Sequence, residues 1–258
     1  MKINPNILRK KVIDMVMEKK SGHIGGAFSM AELTSVLYED FDIGGKDKLI
    51  LSKGHAVPIL YAALHELGKI SDKELDLFRE IDSPLQGHPD KERLPYMHAT
   101  TGALGQGLSI AIGHALAQQT KNLNNSIFCI LGDGELQEGQ IWEAFMLAPK
   151  YKLNNLVCFI DCNKAQNDGY TKDILDMGNL ESKIKSFGWQ VFTINGHCTK
   201  QISEILETRF MDDGPLCIVL DTVKGKGVSF MEHPEWHAKA PNKEEYNNAL
   251  KELGYESN

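Results

Sequence analysis

The chain is 258 residues long, 42% hydrophobic and 24% charged, with a formal net charge of −7. That length and composition predict one globular domain, residues 1–258, and the acidic balance without a dense Lys/Arg stripe argues against a nucleic-acid surface while leaving room for a small basic pocket that holds an anionic metabolite. No apolar run nears the roughly 18 residues needed to span a bilayer and no secretory signal pattern opens the sequence, so a cytoplasmic protein without membrane attachment is expected.

In chain order, short apolar runs alternate with longer amphipathic segments. The runs are KLILS (48–52), SIFCILG (126–132), NLVCFID (155–161), WQVFTI (189–194) and LCIVLD (216–221). Apolar nearly throughout, they suit strands covered on both faces, which predicts an α/β fold with a doubly wound, mostly parallel sheet flanked by helices. The charged stretch from Asn242 to Asn258 reads as a solvated final helix. Five cysteines (Cys129, Cys158, Cys162, Cys198, Cys217) make an odd count without C-x-x-C spacing, and three lie in apolar runs; reduced structural thiols are expected, not disulfides or zinc ligands.

In a doubly wound sheet, ligands collect beyond the carboxyl ends of the strands, which directs attention to the loops GDGELQEG and DCNKAQNDG. Asp133 and Asn163 stand thirty positions apart, one strand-helix-strand unit, each just past a strand. On neighbouring strands, a carboxylate and an amide oxygen form a sparse hard-oxygen set suited to Mg2+, which takes its remaining ligands from water and substrate phosphates. Gly132 and Gly134 would let backbone approach those phosphates, and the following helix would aim its first amides at them. Other phosphate motifs fail: there is no G-x-x-x-x-G-K-[ST], and GALGQG (102–107) has its glycines in the wrong order for a dinucleotide fingerprint. HPEWH (233–237) has histidine spacing like that of a zinc protease, but Pro234 stands where the glutamate is needed.

The stretch GDGELQEGQIWEA…NLVCFIDCN resembles the thiamine diphosphate motif of transketolases. SGHIGGAFSMAEL, LSKGHAVPILYAAL, QGHPD, TTGALGQGLSIAIGHALA and KGKGVSFMEHPEWHAKAP resemble further transketolase segments in family order. The resemblance implies the N-terminal, diphosphate-binding subunit of a split transketolase. Such a subunit moves a two-carbon ketol unit from a ketose phosphate to an aldose phosphate, and works only with a C-terminal subunit carrying the pyrimidine-binding domain, as a two-plus-two heterotetramer. Carried over residue by residue, it implies thiamine diphosphate with Mg2+ (Ca2+ or Mn2+ as substitutes) on Asp133, Asn163 and the main-chain carbonyl of Ala165. Cofactor contacts fall at His55, Gly102, Ala103, Leu104, Gly132, Gly134, Glu135 and His237. Any one of nine histidines is more often structural than catalytic, yet His23, His55 and His88 stand in Gly-His loops that match the family's substrate histidines, and His237 is placed beside the diphosphate or the sugar hydroxyls. Glu138 and Glu143 resemble the buried acids that link two cofactor sites across the family's dimer interface. His65, His98, His114 and His197 carry no assigned role. Departures such as NGHC in place of the usual NGHD leave the sugars open. The pentose phosphate pathway leads, with sulfosugar breakdown or glycolyl transfer as alternatives; a non-catalytic subunit keeping the fold is the least supported reading.

Overall fold

The computed structural model describes residues 3–209 and 213–256. Eleven α-helices fall within them: α1 Pro5–Lys19, α2 Gly25–Phe28, α3 Ala31–Asp40, α4 Pro58–Glu66, α5 Asp72–Leu75, α6 Gly107–Thr120, α7 Gly139–Lys150, α8 Thr171–Leu175, α9 Leu180–Ser186, α10 Thr199–Glu207 and α11 Lys243–Glu252. Five strands form one sheet: β1 Lys48–Leu51, β2 Ile127–Gly132, β3 Leu156–Cys162, β6 Gln190–Asn195 and β7 Leu216–Asp221, in the order β1-β2-β3-β7-β6, every pairing parallel. The short strands β4 Ala165–Gln166 and β5 Gly169–Tyr170 make an antiparallel hairpin beyond the end of β3.

Every strand expected from an apolar run is present, with ends shifted by about one residue. The reason for those unbroken runs is visible in β2. Phe128 and Ile130 join the core under α1, α3 and α4, while Ile127, Cys129 and Leu131 join the core under α6 and α7. A strand with helices on both faces has no position left for a polar side chain. Cys129, Cys158 and Cys217 stand in register across β2, β3 and β7 as small buried apolar groups, and all five cysteines are free.

The tail corrects the expectation of a solvated helix. α11 has a capping box between Asn242 and Glu245, and it buries Ala249 and Leu250, with Leu253 following, on the side of α1; Tyr246 Oη donates to Asp14 at 2.8 Å. Residues 257–258 of that stretch lie outside the described residues. Among the described residues no helix is long and apolar enough to cross a membrane.

Candidate cofactor site at the carboxyl ends of β2, β3 and β7

Pairing of Gly132 with Asp161 brings the loops after β2 and β3 side by side. Asp133, 5% exposed, accepts the main-chain N–H of Lys164 at 2.6 Å and that of Gly134 at 2.9 Å. Asn163 turns its Oδ1 toward the same corner, where it accepts the Ala165 N–H at 3.2 Å, while its Nδ2 donates to Asp161 at 2.7 Å. The three expected metal ligands thus converge. Asp161 is fully buried and ties the floor together: it also accepts from Ser29 at 2.6 Å, from Thr222, and from the ammonium of Lys53. Burial alone would raise the Asp161 carboxyl, yet the Lys53 ammonium and these donors hold it below its ordinary range.

Above this floor lies a cleft of about 250 Å³. It is lined by His55, Leu104, Gly132, Asp133, Gly134 and Glu135 among the expected residues, and by Glu138, Asn163, Ala165 and His237 as well. His23 closes it from the side: its ring centroid is 5.1 Å from that of His55 and 5.3 Å from that of His237, and those two are 4.9 Å apart. His88 is exposed and packs over Gly102, where an added Cβ would come within 2.9 Å of its ring. Ala103 is exposed and outside the cleft lining.

One expectation changes. The helix expected directly after Gly134 is preceded by a 3-10 turn, Gly134–Gln137, and α7 starts only at Gly139; the Gly134 amide is already spent on Asp133. On this chain alone Glu138 and Glu143 are both exposed, so each is open to a partner surface. Glu138 precedes α7 with extended backbone (φ −75°, ψ 125°) and is exposed at the cleft, whereas Glu143 lies on the exposed side of the helix. The buried acid of this segment is Glu135, which accepts from the Gly105 and Gly132 amides and from Ser52; burial raises its carboxyl.

Lys53 and Lys224 are functional candidates that the sequence reading missed. Lys224 Nζ donates to His237 Nδ1 at 2.9 Å, and to the carbonyls of Ala165 at 3.2 Å and Gln166 at 3.4 Å. Burial and the neighbouring Lys53 bring its ammonium down to about 8. Burial, then nearby cations, keeps the imidazoles neutral: His23 is lowered to about 4, largely by burial and then by Arg79, His237 to about 3 by burial and Lys224, and His55 and His88 are also lowered. His23 Nδ1 is buried without a hydrogen-bond partner.

The donor chemistry fits a divalent cation bound to a diphosphate. Burial and the Asp161 charge push the Asp133 carboxyl up to about 6, as expected of a carboxylate short of positive charge. Among the described residues no cluster of three or more His, Cys, Asp or Glu side chains could hold a metal, so a cation at Asp133 would depend on amide, carbonyl and phosphate oxygens, the set Mg2+ favours. Glycine shapes the cradle at Gly134, where a Cβ would lie 2.9 Å from Gln166 Cβ.

Comparison with known proteins decides which family built this cleft. The model of the transketolase, thiamine diphosphate binding domain matches residues 2–258. The chain belongs to the transketolase family. It is 42% identical over 236 residues to the 6-deoxy-6-sulfo-D-fructose transketolase subunit SqwG of Clostridium sp. strain MSTE9, covering 88% of this chain and 86% of the relative. With an apulose-4-phosphate transketolase subunit of Actinobacillus succinogenes it shares 38% identity over 256 residues, covering 96% and 93%. Among solved structures, transketolase from Campylobacter jejuni superposes with a TM-score of 0.92 at 30% identity; the match covers 98% of this chain and 42% of that one. The transketolase fold here therefore spans about two-fifths of the full-length enzyme it resembles, and nearly all of the subunits. This chain is a transketolase-type transferase subunit that corresponds to the N-terminal part of the enzyme.

Proposed function

We propose that residues 1–258 act as one diphosphate-binding unit that holds Mg-thiamine diphosphate. Asp133, Asn163 and the Ala165 carbonyl would hold the metal, with Lys53, Lys224 and His237 facing the diphosphate. The observation that carries this reading is the convergence of Asp133 and Asn163 at adjoining strand ends under two buried ammonium groups. When bound, the cofactor supplies the electron sink for breaking and making the carbon–carbon bond. The chain's part is to orient and to move protons. Lys224 donates to His237 Nδ1, which leaves the His237 ring proton on Nε2 as a donor toward the cleft. Neutral His23 and His55 can donate to sugar oxygens, give a proton as a carbonyl changes to a hydroxyl, or accept one as a hydroxyl changes to a carbonyl, with His88 at the outer edge. Glu138 and Glu143, exposed on this chain, would meet a second copy in a two-plus-two assembly with the partner subunit that carries the pyrimidine-binding domain.

The reaction proposed is ketol transfer between a ketose and an aldose with anionic ends. Identity to relatives named for 6-deoxy-6-sulfo-D-fructose and apulose-4-phosphate favours a donor outside the pentose phosphate pathway over xylulose 5-phosphate. A donor panel of sulfonated and phosphorylated ketoses, run with the assembled enzyme, tests the choice; turnover of none of them refutes the transfer reading.

His23→Ala and His88→Ala lower kcat while leaving thiamine diphosphate affinity and the circular dichroism spectrum near wild type, because the metal site holds the diphosphate and the histidines meet the sugar. Steady-state kinetics with the favoured donor checks this. Full activity in both variants would return these side chains to a structural role.

A further inference from the structure

His197, in the Asn195–Cys198 turn after β6, is not among the residues lining the cleft, yet it joins α3 to the segment that carries Lys224. One ring nitrogen, Nδ1, lies 3.0 Å from Glu32 Oε2, and the other, Nε2, accepts the Val223 N–H at 2.9 Å. A carboxylate accepts and an amide N–H donates, so the ring is the neutral tautomer with its proton on Nδ1. Glu32 is fixed in turn by the buried Arg9, whose Nη2 donates to the same oxygen at 2.7 Å and to the Phe28 carbonyl at 3.1 Å. The turn itself is pressed onto the end of β7: Gly196 donates to the Asp221 carbonyl at 2.9 Å, and a Cβ there would come within 2.4 Å of Thr222.

We infer that His197 is a positioning residue for the cofactor site, clamping the main chain at Val223 so that Lys224 enters the cleft in one register. Val223 immediately precedes Lys224, and Gly225 is fixed on the far side by its N–H to the Gly25 carbonyl at 3.0 Å. Lys224 is thus held from both flanks. Its stem runs over Gly25, where a Cβ would be 2.8 Å from Lys224 Cγ, and its ammonium reaches Ala165, Gln166 and His237 together. Releasing Val223 frees the residue that aligns three groups of the cleft, although no atom of His197 is near the cofactor. The inference rests on the proposed diphosphate role of Lys224.

Two substitutions separate the clamp from a simple packing role. His197→Gln can place an amide oxygen where Nε2 stands and keep the Val223 bond; His197→Asn is shorter, can keep the Glu32 contact and loses Val223. We measure amide hydrogen exchange at Val223 in the full chain, and thiamine diphosphate affinity with Mg2+ in the assembled two-subunit enzyme. The expected result is a protected Val223 and near wild-type affinity in the Gln variant, with faster exchange and about tenfold weaker affinity in the Asn variant, the size of loss typical when an outer partner of a bound group is removed. Equal affinity in the Asn variant and wild type, or equal losses in both variants, overturns the clamp. Failure of the wild-type complex to bind thiamine diphosphate instead overturns the proposed function, while unchanged exchange at Val223 in the Asn variant overturns the clamp alone.

Discussion

Asp133→Ala and Asn163→Ala each abolish Mg2+-dependent binding of thiamine diphosphate, an expected loss of more than about 100-fold, because ligand removal exceeds the 10–100-fold cost of disturbing an outer-shell partner. The proposed shell has one carboxylate, one amide oxygen and one main-chain carbonyl, so each ligand would be a large share of what the protein contributes. Asp133 has a second function, accepting the Lys164 and Gly134 amides, and its loss also loosens the hairpin that presents Ala165. Chelating the metal from the wild-type complex should have the same effect on binding without loosening the hairpin. Calorimetric titration of the assembled enzyme with and without Mg2+ checks all three. Unchanged affinity in both variants would remove the metal from this corner.

Asp161→Ala is expected to destabilise the fold by about 3–5 kcal/mol, the cost of leaving one member of a buried ion pair alone. Lys53 is 2% exposed and its ammonium has the Asp161 carboxylate and the Gly26 carbonyl as partners; removing the carboxylate leaves a buried charge with one neutral acceptor. The same substitution removes the acceptor shared by Asn163 Nδ2, Ser29 and Thr222 and leaves Asn163 Nδ2 with only Ser29 at 3.5 Å, so the amide that would present Oδ1 to the metal is held less firmly. Asp161→Asn, which keeps the shape and one acceptor, should cost less, about 1–3 kcal/mol. Urea denaturation of the three proteins measures the difference. An Asp161→Ala variant as stable as wild type would mean that Lys53 relaxes onto other acceptors and that the floor of the cleft is not held by this pair.

The strands and the approach of the loops carrying Asp133 and Asn163 were legible because each depends on local pattern plus one rule of topology. Apolar runs without alternation identify strands covered on both faces, and a thirty-residue interval between Asp133 and Asn163 puts two loop tips together once the strands are neighbours. Lys53 and Lys224 were missed because 171 positions separate them, and a lysine read alone is a solvated charge; a faint signal did exist in the apolar setting of LSKGHAVPILYAAL. The tail was misread although Tyr246, Ala249, Leu250 and Leu253 repeat at helical spacing, since its high charge outweighed that stripe. His197 gave no local signal at all: Glu32 and Val223 are 165 and 26 positions away, and only the fold makes them partners.

Ketol transfer measured with this polypeptide alone and then together with the proposed pyrimidine-domain partner is the most direct test of the account. In the proposed assembly an acid on that second domain would activate the aminopyrimidine of the cofactor, and on this chain alone the cofactor would lie in an exposed cleft where water competes for its reactive carbon. Asp133 is committed to the metal corner, Glu135 to the Gly105 and Gly132 amides and Ser52, and Asp161 to Lys53, which leaves no carboxylate of that floor for the task. The predicted result is no turnover by the lone chain and transfer from a sulfonated or phosphorylated ketose to an aldose phosphate once the partner is present, with thiamine diphosphate and Mg2+ both required. Substantial turnover by the lone chain, free of any partner, would contradict it.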